Sequence, residues 1–384
     1  MKICFITGSR AEFDLLKILY LELEKDNFFK TKLLVTGAHL SKYFGKTLNY
    51  IKKQNIKVDG VINISIKNDD IKNISNSFSL GVKKFSLIFE KIKPDAILIL
   101  GDRYEIFASA ISACFNKIPI IHLHGGERTE GLIDESIRHS ITKMSHLHFV
   151  STNEYKKRVI QLGENKKNVF NVGSLGVEAI NKVNIIKKKV LQKKLNLNFK
   201  DKIVLISYHP ETLEKSNNNK NFNKFLKALK NLKDFTLVFT MPNADIGYKN
   251  ITKGISKFVL ENKNSILVKS LGHEQYFSLC RHIDLMIGNS SSGIIEIPSF
   301  KKPSINVGIR QKGRARAMSV IDSSHETKEL LKKINFCLTK KFRSKIVNIR
   351  NPYYKKNTSK NIKNILKKIE FKKLILKKFI DLKK

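Results

Sequence analysis

The sequence has no tryptophan, few prolines and few acidic residues. Its 384 residues include 7 Pro, 4 Cys and 33 Asp or Glu. No uninterrupted apolar run reaches the roughly 18 to 20 residues that a membrane-spanning helix needs. The first apolar stretch leads directly into Thr7-Gly8-Ser9 without a small-residue cleavage site, so no signal peptide is predicted. We therefore expect a cytoplasmic protein with no membrane partner.

The cysteines are too few and too scattered for a disulfide framework or a zinc site. Cys4, Cys114, Cys280 and Cys337 stand alone, and no Cys-x-x-Cys pair occurs. We interpret them as buried structural thiols in a reducing compartment. No metal site is predicted.

Basic residues are in large excess: 73 Lys or Arg give a formal net charge of +40. This charge has two interpretations, a polyanionic partner or Lys-rich compositional drift. The lysines are scattered along the chain, arginine is scarce, and no aromatic stacking platforms accompany the basic residues. We favour drift and expect no specific nucleic-acid partner, while a positive field would attract a phosphate-bearing substrate.

Short apolar runs alternate with longer helical patterns, which predicts parallel sheets with crossover helices. The predicted strands cover 2–7, 30–37, 96–101, 118–125, 146–151 and 168–173, and then 202–210, 235–242, 265–270, 285–291 and 303–308. The pattern starts again after residue 176, so we expect an α/β protein of two doubly wound Rossmann-like domains facing each other across a cleft. The predicted domains are 1–175 and 176–355. A Lys-rich helical tail, 356–384, is predicted to pack back on the first domain.

Loops after strands of the first half carry residues suited to acid–base chemistry and anion binding, because ligands bind beyond the carboxyl ends of parallel strands. Arg10 follows the first strand, where it is either a phosphate ligand or a surface charge. Asp102 and Arg103 follow an apolar strand, and Asp102 suits proton transfer or helix capping. The densest segment runs from His122 through His124 and Gly125-Gly126 to Glu127, and on to Asp134. Its spacing matches no standard metal site, so we favour proton chemistry.

The loops of the second half are predicted to bind a nucleotide and to add an imidazole. His209 precedes a proline, which favours an extended backbone at the end of its strand. Asn243 suits a ligand contact or an Asx turn. A hydroxyl-rich loop offers a nest of phosphate donors, Arg residues concentrate after Gly308, and Glu296 can accept from a ribose. The candidate binding residues here are Asn243, Ser290, Ser291, Gly293, Glu296 and Arg310.

Together these segments resemble the hydrolysing UDP-N-acetylglucosamine 2-epimerases of bacterial sialic acid synthesis. The resemblance runs in order from Met1 to Pro352, through TGSRAEFD, LGDRYEIF, HLHGGERTEGLIDESIRHSITKMSHLHF, VFNVGSLG, HPET, PNAD, IGNSSSGIIEIPS and RQKGRARAMSVID. It implies the glycosyltransferase-B fold, a homodimer, and chemistry without a metal or redox cofactor.

The resemblance also implies a reaction and roles for residues. UDP-N-acetylglucosamine would lose UDP by elimination to a 2-acetamidoglucal, which water would convert to N-acetylmannosamine. Motif matches make Asp102, Asp134 and His209 the catalytic candidates, joined by Glu127. They place Arg10, Arg103, Ser290, Ser291, Glu296 and Arg310 at the nucleotide and Asn243 at the sugar.

One position departs from the wider family, where many relatives carry Glu in an H-x-E-G motif and this chain has His124. Either His124 takes that role or Glu127 substitutes for it. Two substrates stay open, because a nucleotide-activated N,N'-diacetylbacillosamine of legionaminic acid synthesis differs at few pocket contacts. A glycosyltransferase of the same fold and a polyanion-binding protein are the remaining alternatives.

Overall fold

All paired strands lie in two parallel sheets, one in each of two units. The computed structural model describes residues 1–42, 45–64, 70–196, 202–213, 218–243, 245, 247–268 and 271–382. The first unit comprises Met1–Glu127, Ile133–Glu178 and Lys355–Lys384, and the second comprises Arg128–Leu132 and Ala179–Tyr354.

The first unit contains a seven-stranded sheet with the order β3-β2-β1-β4-β5-β6-β7. Its strands are β1 (Lys2–Thr7), β2 (Lys30–Thr36), β3 (Gly60–Ile62), β4 (Ala96–Leu100), β5 (Ile120–Leu123), β6 (Leu147–Val150) and β7 (Val169–Asn171). The accompanying helices are α1 (Arg10–Glu24), α2 (Leu48–Lys52), α3 (Ile71–Ile92), α4 (Tyr104–Phe115), α5 (Asp134–Met144), α6 (Asn153–Gln161) and α7 (Leu175–Ile180). Two 3-10 helices cover Gly37–Leu40 and Lys166–Asn168.

The second unit repeats this design with a six-stranded sheet in the order β10-β9-β8-β11-β12-β13. Its strands are β8 (Lys202–Ser207), β9 (Phe235–Thr240), β10 (Ser265–Val268), β11 (Leu285–Gly288), β12 (Ser304–Val307) and β13 (Val320–Ser323). Its helices are α8 (Lys188–Leu195), α9 (Asn218–Leu229), α10 (Tyr248–Glu261), α11 (Gly272–His282), α12 (Ser292–Ile295), α13 (Thr327–Leu338) and α14 (Lys340–Ile346), with a 3-10 helix at Ile297–Phe300. The chain then returns to the first unit as α15 (Thr358–Leu366) and α16 (Phe371–Leu374).

The central strands are buried on both faces, which explains their continuous apolar sequences. Ile97, Leu98 and Ile99 on β4 are fully buried, and they alternate between two core clusters of the first unit. In each sheet the strand order reverses at the first strand, between β1 and β4 and between β8 and β11. These reversals are the topological switch points at which doubly wound sheets bind ligands. The predicted α/β class with two doubly wound sheets is confirmed.

The structure corrects several details of the predicted elements. Two strands were not predicted, β3 and β13, which are short and lie at sheet edges. Several strands end earlier than predicted, because β5, β8 and β11 give way to the loops that carry the candidate residues. The tail contains two short helices rather than continuous helix, and residues 375–382 have no helix. Lys269 and Ser270, predicted as strand, lie outside the described residues.

The chain passes between the two units at several points rather than once, near the predicted boundary at residue 175. Arg128–Leu132 groups with the second unit, where Glu130 N donates to Lys312 O at 3.2 Å. In the first unit, Ile362 and Leu366 of α15 join the apolar core beside α1. The domain bounds 1–175, 176–355 and 356–384 stay a prediction.

Three cysteines are buried, and one is not. Cys4, Cys280 and Cys337 are buried, whereas Cys114 is exposed, so the expectation of a buried thiol is wrong at Cys114. No helix among the described residues is long and apolar enough to cross a membrane.

A buried ion cluster around Glu164 anchors the last residues of the chain to the first unit. Glu164 receives Lys143 Nζ at 2.7 Å, Lys377 Nζ at 2.8 Å and His148 Nε2 at 3.0 Å. Burial alone would raise the pKa of Glu164, but these donors outweigh it and hold that pKa at about 2. Ile380 N donates to Gly163 O at 3.0 Å in the adjacent turn.

Replacing Glu164 with glutamine should therefore destabilise the first unit by about 2 kcal/mol at pH 7, because the partly exposed Lys143 and Lys377 lose a buried counter-ion. A carboxyl with a lowered pKa stabilises the fold above its unfolded pKa of about 4.5, and this contribution is lost as the pH falls toward about 2. The difference between wild type and Glu164→Gln, measured by chemical denaturation, should therefore shrink between pH 5 and pH 3. Glu370→Gln is the control, since its partner Lys373 forms an exposed pair with it. Equal effects of the two substitutions would contradict the anchoring role.

Candidate active site

The candidate residues of the first unit lie at the carboxyl ends of β1, β4 and β5. His122 links two of these ends, because its Nε2 pairs with the carbonyl of Gly101 at 2.9 Å, directly before Asp102. Burial lowers the pKa of His122 to about 3, so this imidazole is neutral. His122 therefore holds the Asp102 loop against the His124 loop.

Arg138, which was not among the predicted site residues, is the centre of a charged cluster. Its side chain is 1% exposed and forms an ion pair with Asp102. It also donates to Glu135 Oε2 at 2.7 Å and to the carbonyl of Glu127 at 2.9 Å. Asp134 is the first residue of the same helix, α5. One buried guanidinium thus brings together the loops after β4 and β5 and the start of α5.

His124 and Glu127 form a buried pair after β5. His124 Nδ1 lies 2.9 Å from Glu127 Oε1, and Ser151 donates to the same oxygen at 3.1 Å. Since a carboxylate accepts at Nδ1, the proton of the neutral imidazole lies there and Nε2 carries the lone pair. His124 Nε2 is buried and has no hydrogen-bond partner among the described residues. His124 also has a φ of +65°, a left-handed conformation uncommon outside glycine. This arrangement suits a general base.

Arg10 and Arg103 are held by separate partners in the first unit. The Arg10 guanidinium lies 4.0 Å from the centre of the Tyr50 ring, and its Nε is 3.7 Å from Asp14. Arg103 Nε donates to the buried Glu105 at 2.7 Å. Both cations are therefore positioned before any ligand binds.

A second buried carboxyl, Glu12, lies beside Glu105. Gly8 N donates to Glu12 Oε2 at 2.7 Å. Burial and then the neighbouring Glu105 raise the pKa of Glu12 to about 8, so Glu12 carries a proton at neutral pH. Neither Glu12 nor Glu105 is among the predicted site residues.

In the second unit, His209 follows β8 and is 4% exposed. Its Nδ1 accepts from the backbone N–H of Asn243 at 3.0 Å, which leaves the proton of the neutral ring on Nε2. Nε2 lies 3.4 Å from Ser207 Oγ. His209 is therefore oriented as a donor through Nε2, the opposite of His124.

The hydroxyl-rich loop after β11 offers fewer donors than the predicted nest. The N–H groups of Ser292, Gly293 and Ile294 are used within the loop. The N–H groups of Ser290 and Ser291 make no hydrogen bond to any described residue. Anion binding by this loop would therefore rest on Ser290 and Ser291.

Gly293, Glu296 and Arg310 have different surroundings. Gly293 is buried in α12, where an added Cβ would meet Met286 only at an ordinary 3.6 Å, so the structure shows no close approach there. Glu296 directly follows α12. Burial raises the pKa of the Cys280 thiol most, and the negative charge of Glu296 raises it further. Arg310 donates to Asp245 Oδ2 at 2.8 Å and to Asn289 O at 3.2 Å.

No group of three or more His, Cys, Asp or Glu side chains in the described part of the chain is arranged to hold a metal ion. The candidate residues instead form two sets of polar groups, one in each unit, in the segments that follow its parallel strands. One set holds carboxylates and an imidazole lone pair, and the other holds an imidazole donor, hydroxyls and an arginine.

Comparison with known proteins identifies the family. The model of the UDP-N-acetylglucosamine 2-epimerase family matches residues 21–367. The chain belongs to this family. It is 44% identical over 99% of both chains to the GDP/UDP-N,N'-diacetylbacillosamine 2-epimerase (hydrolyzing) of Campylobacter jejuni. It is 41% identical to the polysialic acid biosynthesis protein P7 of Escherichia coli, over 99% of this chain and 97% of that protein.

The fold agrees with this membership. The crystal structure of UDP-GlcNAc 2-epimerase from Neisseria meningitidis bound to UDP-GlcNAc superposes with a TM-score of 0.82 at 23% identity, covering 96% of this chain and 100% of that one. The predicted family is thus confirmed, and the protein is a nucleotide-sugar 2-epimerase.

Arg138 and Asn289 of this epimerase are not among the predicted site residues. The spacing Asp134-Glu135-x-x-Arg138 places three charges on one side of a helix, which is a usable signal. Asn289 belongs to the loop that is predicted to donate to phosphate, whereas its side chain holds the backbone of His209.

Gly288 of the epimerase is required by a close backbone approach. Its φ is +144°, and an added Cβ would lie 2.0 Å from the carbonyl oxygen of Ser207. Gly288→Ala should therefore lower the stability of the second unit by about 2 kcal/mol or more. Gly293→Ala is the matched control, since its Cβ has room and alanine favours helix, so stability should be unchanged or slightly raised. Similar melting temperatures for Gly288→Ala and wild type would refute this packing.

Proposed function

We propose that this epimerase is hydrolysing and converts UDP-N-acetylglucosamine and water to N-acetylmannosamine and UDP. A base removes the proton at C2, the bond between C1 and the phosphate oxygen breaks, and UDP leaves with the bonding electrons. Water then adds its hydroxyl at C1 of the glucal while C2 gains a proton on the opposite face. The net reaction is redox-neutral and needs no redox cofactor.

The observation that carries the proposal is the buried set around Arg138 and His124. His124 Nε2 is the base for the C2 proton, because Glu127 occupies Nδ1 and leaves the Nε2 lone pair available. Glu127 then stabilises the imidazolium that forms. This assignment gives His124 the role that Glu has in many relatives.

The two aspartates serve different steps. Asp102 is held by Arg138 and orients the reacting sugar. Asp134, at the partly exposed start of α5, returns a proton to C2. The role of Asp102 rests on its position after β4, that of Asp134 on its position at the start of α5, and both on the motif match.

The remaining candidates hold the nucleotide. His209 donates from Nε2 to the departing diphosphate, whose negative charge grows as the C1–O bond breaks. Arg10, Arg103 and Arg310 are cationic donors, and Ser290 and Ser291 supply N–H groups. Asn243 contacts the sugar, Glu296 accepts from the ribose, and Gly293 belongs to the same loop. Following the family resemblance, we also propose that the protein is a cytoplasmic homodimer that supplies N-acetylmannosamine for the synthesis of sialic acid and surface polysaccharide.

A second substrate is favoured by a specific observation. The relative at 44% identity is named for N,N'-diacetylbacillosamine nucleotides, and the relative at 41% for polysialic acid. The same groups at C1 and C2 would act on either sugar. An amide at C4 and a missing hydroxyl at C6 alter only peripheral contacts.

Proton NMR in deuterated water tests the reaction and the substrate together. Purified protein is given UDP-N-acetylglucosamine, and in parallel the UDP and GDP forms of N,N'-diacetylbacillosamine. We expect UDP release from UDP-N-acetylglucosamine and N-acetylmannosamine carrying deuterium at C2, since the original proton is lost. Turnover of the bacillosamine nucleotides alone would replace the first substrate by the second. A product with full protium at C2 would exclude elimination.

His209→Ala should lower kcat by about 100-fold, the usual effect of removing a proton-transfer or donor group. UDP affinity, measured by calorimetry, should fall by less than kcat does, because Arg310 and the serine loop still hold the diphosphate. Melting temperature is the control for folding. A well-folded variant with near wild-type kcat would remove His209 from the mechanism.

A further inference from the structure

We propose that Asn289 is the positioning residue that fixes His209 and connects it to the arginine loop after β12. The inference rests on the proposed role of His209 and names no new ligand. It assigns two separable functions to one residue, with its side chain serving His209 and its backbone serving Arg310.

The side chain of Asn289 uses both ends of its amide on the backbone of a single residue. His209 N donates to Asn289 Oδ1 at 2.7 Å, and Asn289 Nδ2 donates to His209 O at 2.8 Å. Asn289 is fully buried, so water cannot replace these bonds. The amide thus substitutes for a strand partner at the point where β8 and β11 have ended.

The backbone of Asn289 faces two other elements. Its N–H donates to Ser207 O at 3.1 Å, which continues the pairing of β11 with β8. Its carbonyl accepts from Arg310 Nη1 at 3.2 Å and Gln311 Nε2 at 3.1 Å. Any substitution at this position keeps the carbonyl, so the arginine contact survives loss of the side chain.

Asparagine suits this position because its side-chain oxygen must accept from His209 N while its side-chain nitrogen donates to His209 O. Aspartate keeps the oxygen facing His209 N but puts a second acceptor against His209 O, and alanine removes both hydrogen bonds. Either change loosens the hold on the His209 backbone, and with it the position of the ring that Asn243 N contacts at Nδ1.

Asn289→Ala and Asn289→Asp test the proposal, with Asn306→Ala as control. Asn306 is a buried amide on the neighbouring strand that bonds Asp322 at 2.8 Å instead. We expect both Asn289 variants to lose at least about 10-fold in kcat, since small displacements of a reacting group are costly. For Asn289→Ala, UDP affinity by calorimetry should fall by less than kcat does, because Arg310 still binds the Asn289 carbonyl, and Asn306→Ala should keep both values. An equal loss of kcat and UDP affinity in Asn289→Ala would overturn the proposal that the side chain and the backbone of Asn289 have separate functions.

The imidazole of His209 supplies a readout that does not need turnover. In wild type, ¹⁵N NMR of the ring should show Nδ1 without and Nε2 with a proton, as the contact with Asn243 requires. In both Asn289 variants the two ring shifts should move toward each other, because the ring is no longer held in one tautomer. Unchanged ring shifts in either folded variant would overturn the proposal. If wild type turned over no nucleotide sugar, the proposed function would fail while these ring shifts would still decide the role of Asn289.

Discussion

At β1 and β4, and again at β8 and β11, neighbouring strands lead into connections on opposite sides of their sheet, so the loops that follow diverge and leave room for a ligand. The loops of Asp102 and His209 each follow a strand at one of these reversals. His122 joins the ends of β5 and β4 through the carbonyl of Gly101, and Asn289 joins the ends of β11 and β8 through His209. Side chains that bridge adjacent strand ends thus continue the sheet's hydrogen bonding into the loops.

The buried histidines differ in which ring nitrogen donates and which accepts, because their hydrogen-bond partners differ. His148 donates to the ion cluster at Glu164, and His122 is neutral beneath a loop. His124 has a carboxylate at Nδ1, whereas His209 has a backbone donor at Nδ1. In a neutral ring the partner at Nδ1 decides whether Nε2 carries a proton. Nε2 of His124 is therefore suited to accept a proton, and Nε2 of His209 is suited to donate a hydrogen bond.

Arginine is scarce in this lysine-rich chain, and the structure concentrates it where a forked donor is useful. Arg138 bonds two carboxylates and a carbonyl, and Arg310 bonds a carboxylate and a carbonyl. A lysine could not span such sets, because its ammonium lacks the planar fork. The many lysines lie mostly in exposed positions, as at Lys373.

The sequence by itself determined the α/β class, most of the strands and the loops that hold the candidate residues, because apolar runs and Gly-containing ends are local features. It did not reveal β3 or β13, the exposure of Cys114, or the internal use of N–H groups in the serine loop. Arg138 illustrates the reason: its helical spacing is visible locally, but its pairing with Asp102 spans 36 residues. The Asn289–His209 bonds span 80 residues. Such contacts arise only when β4 lies beside β5 and β11 beside β8, and hydrophobic pattern specifies that a strand is buried without specifying its neighbour.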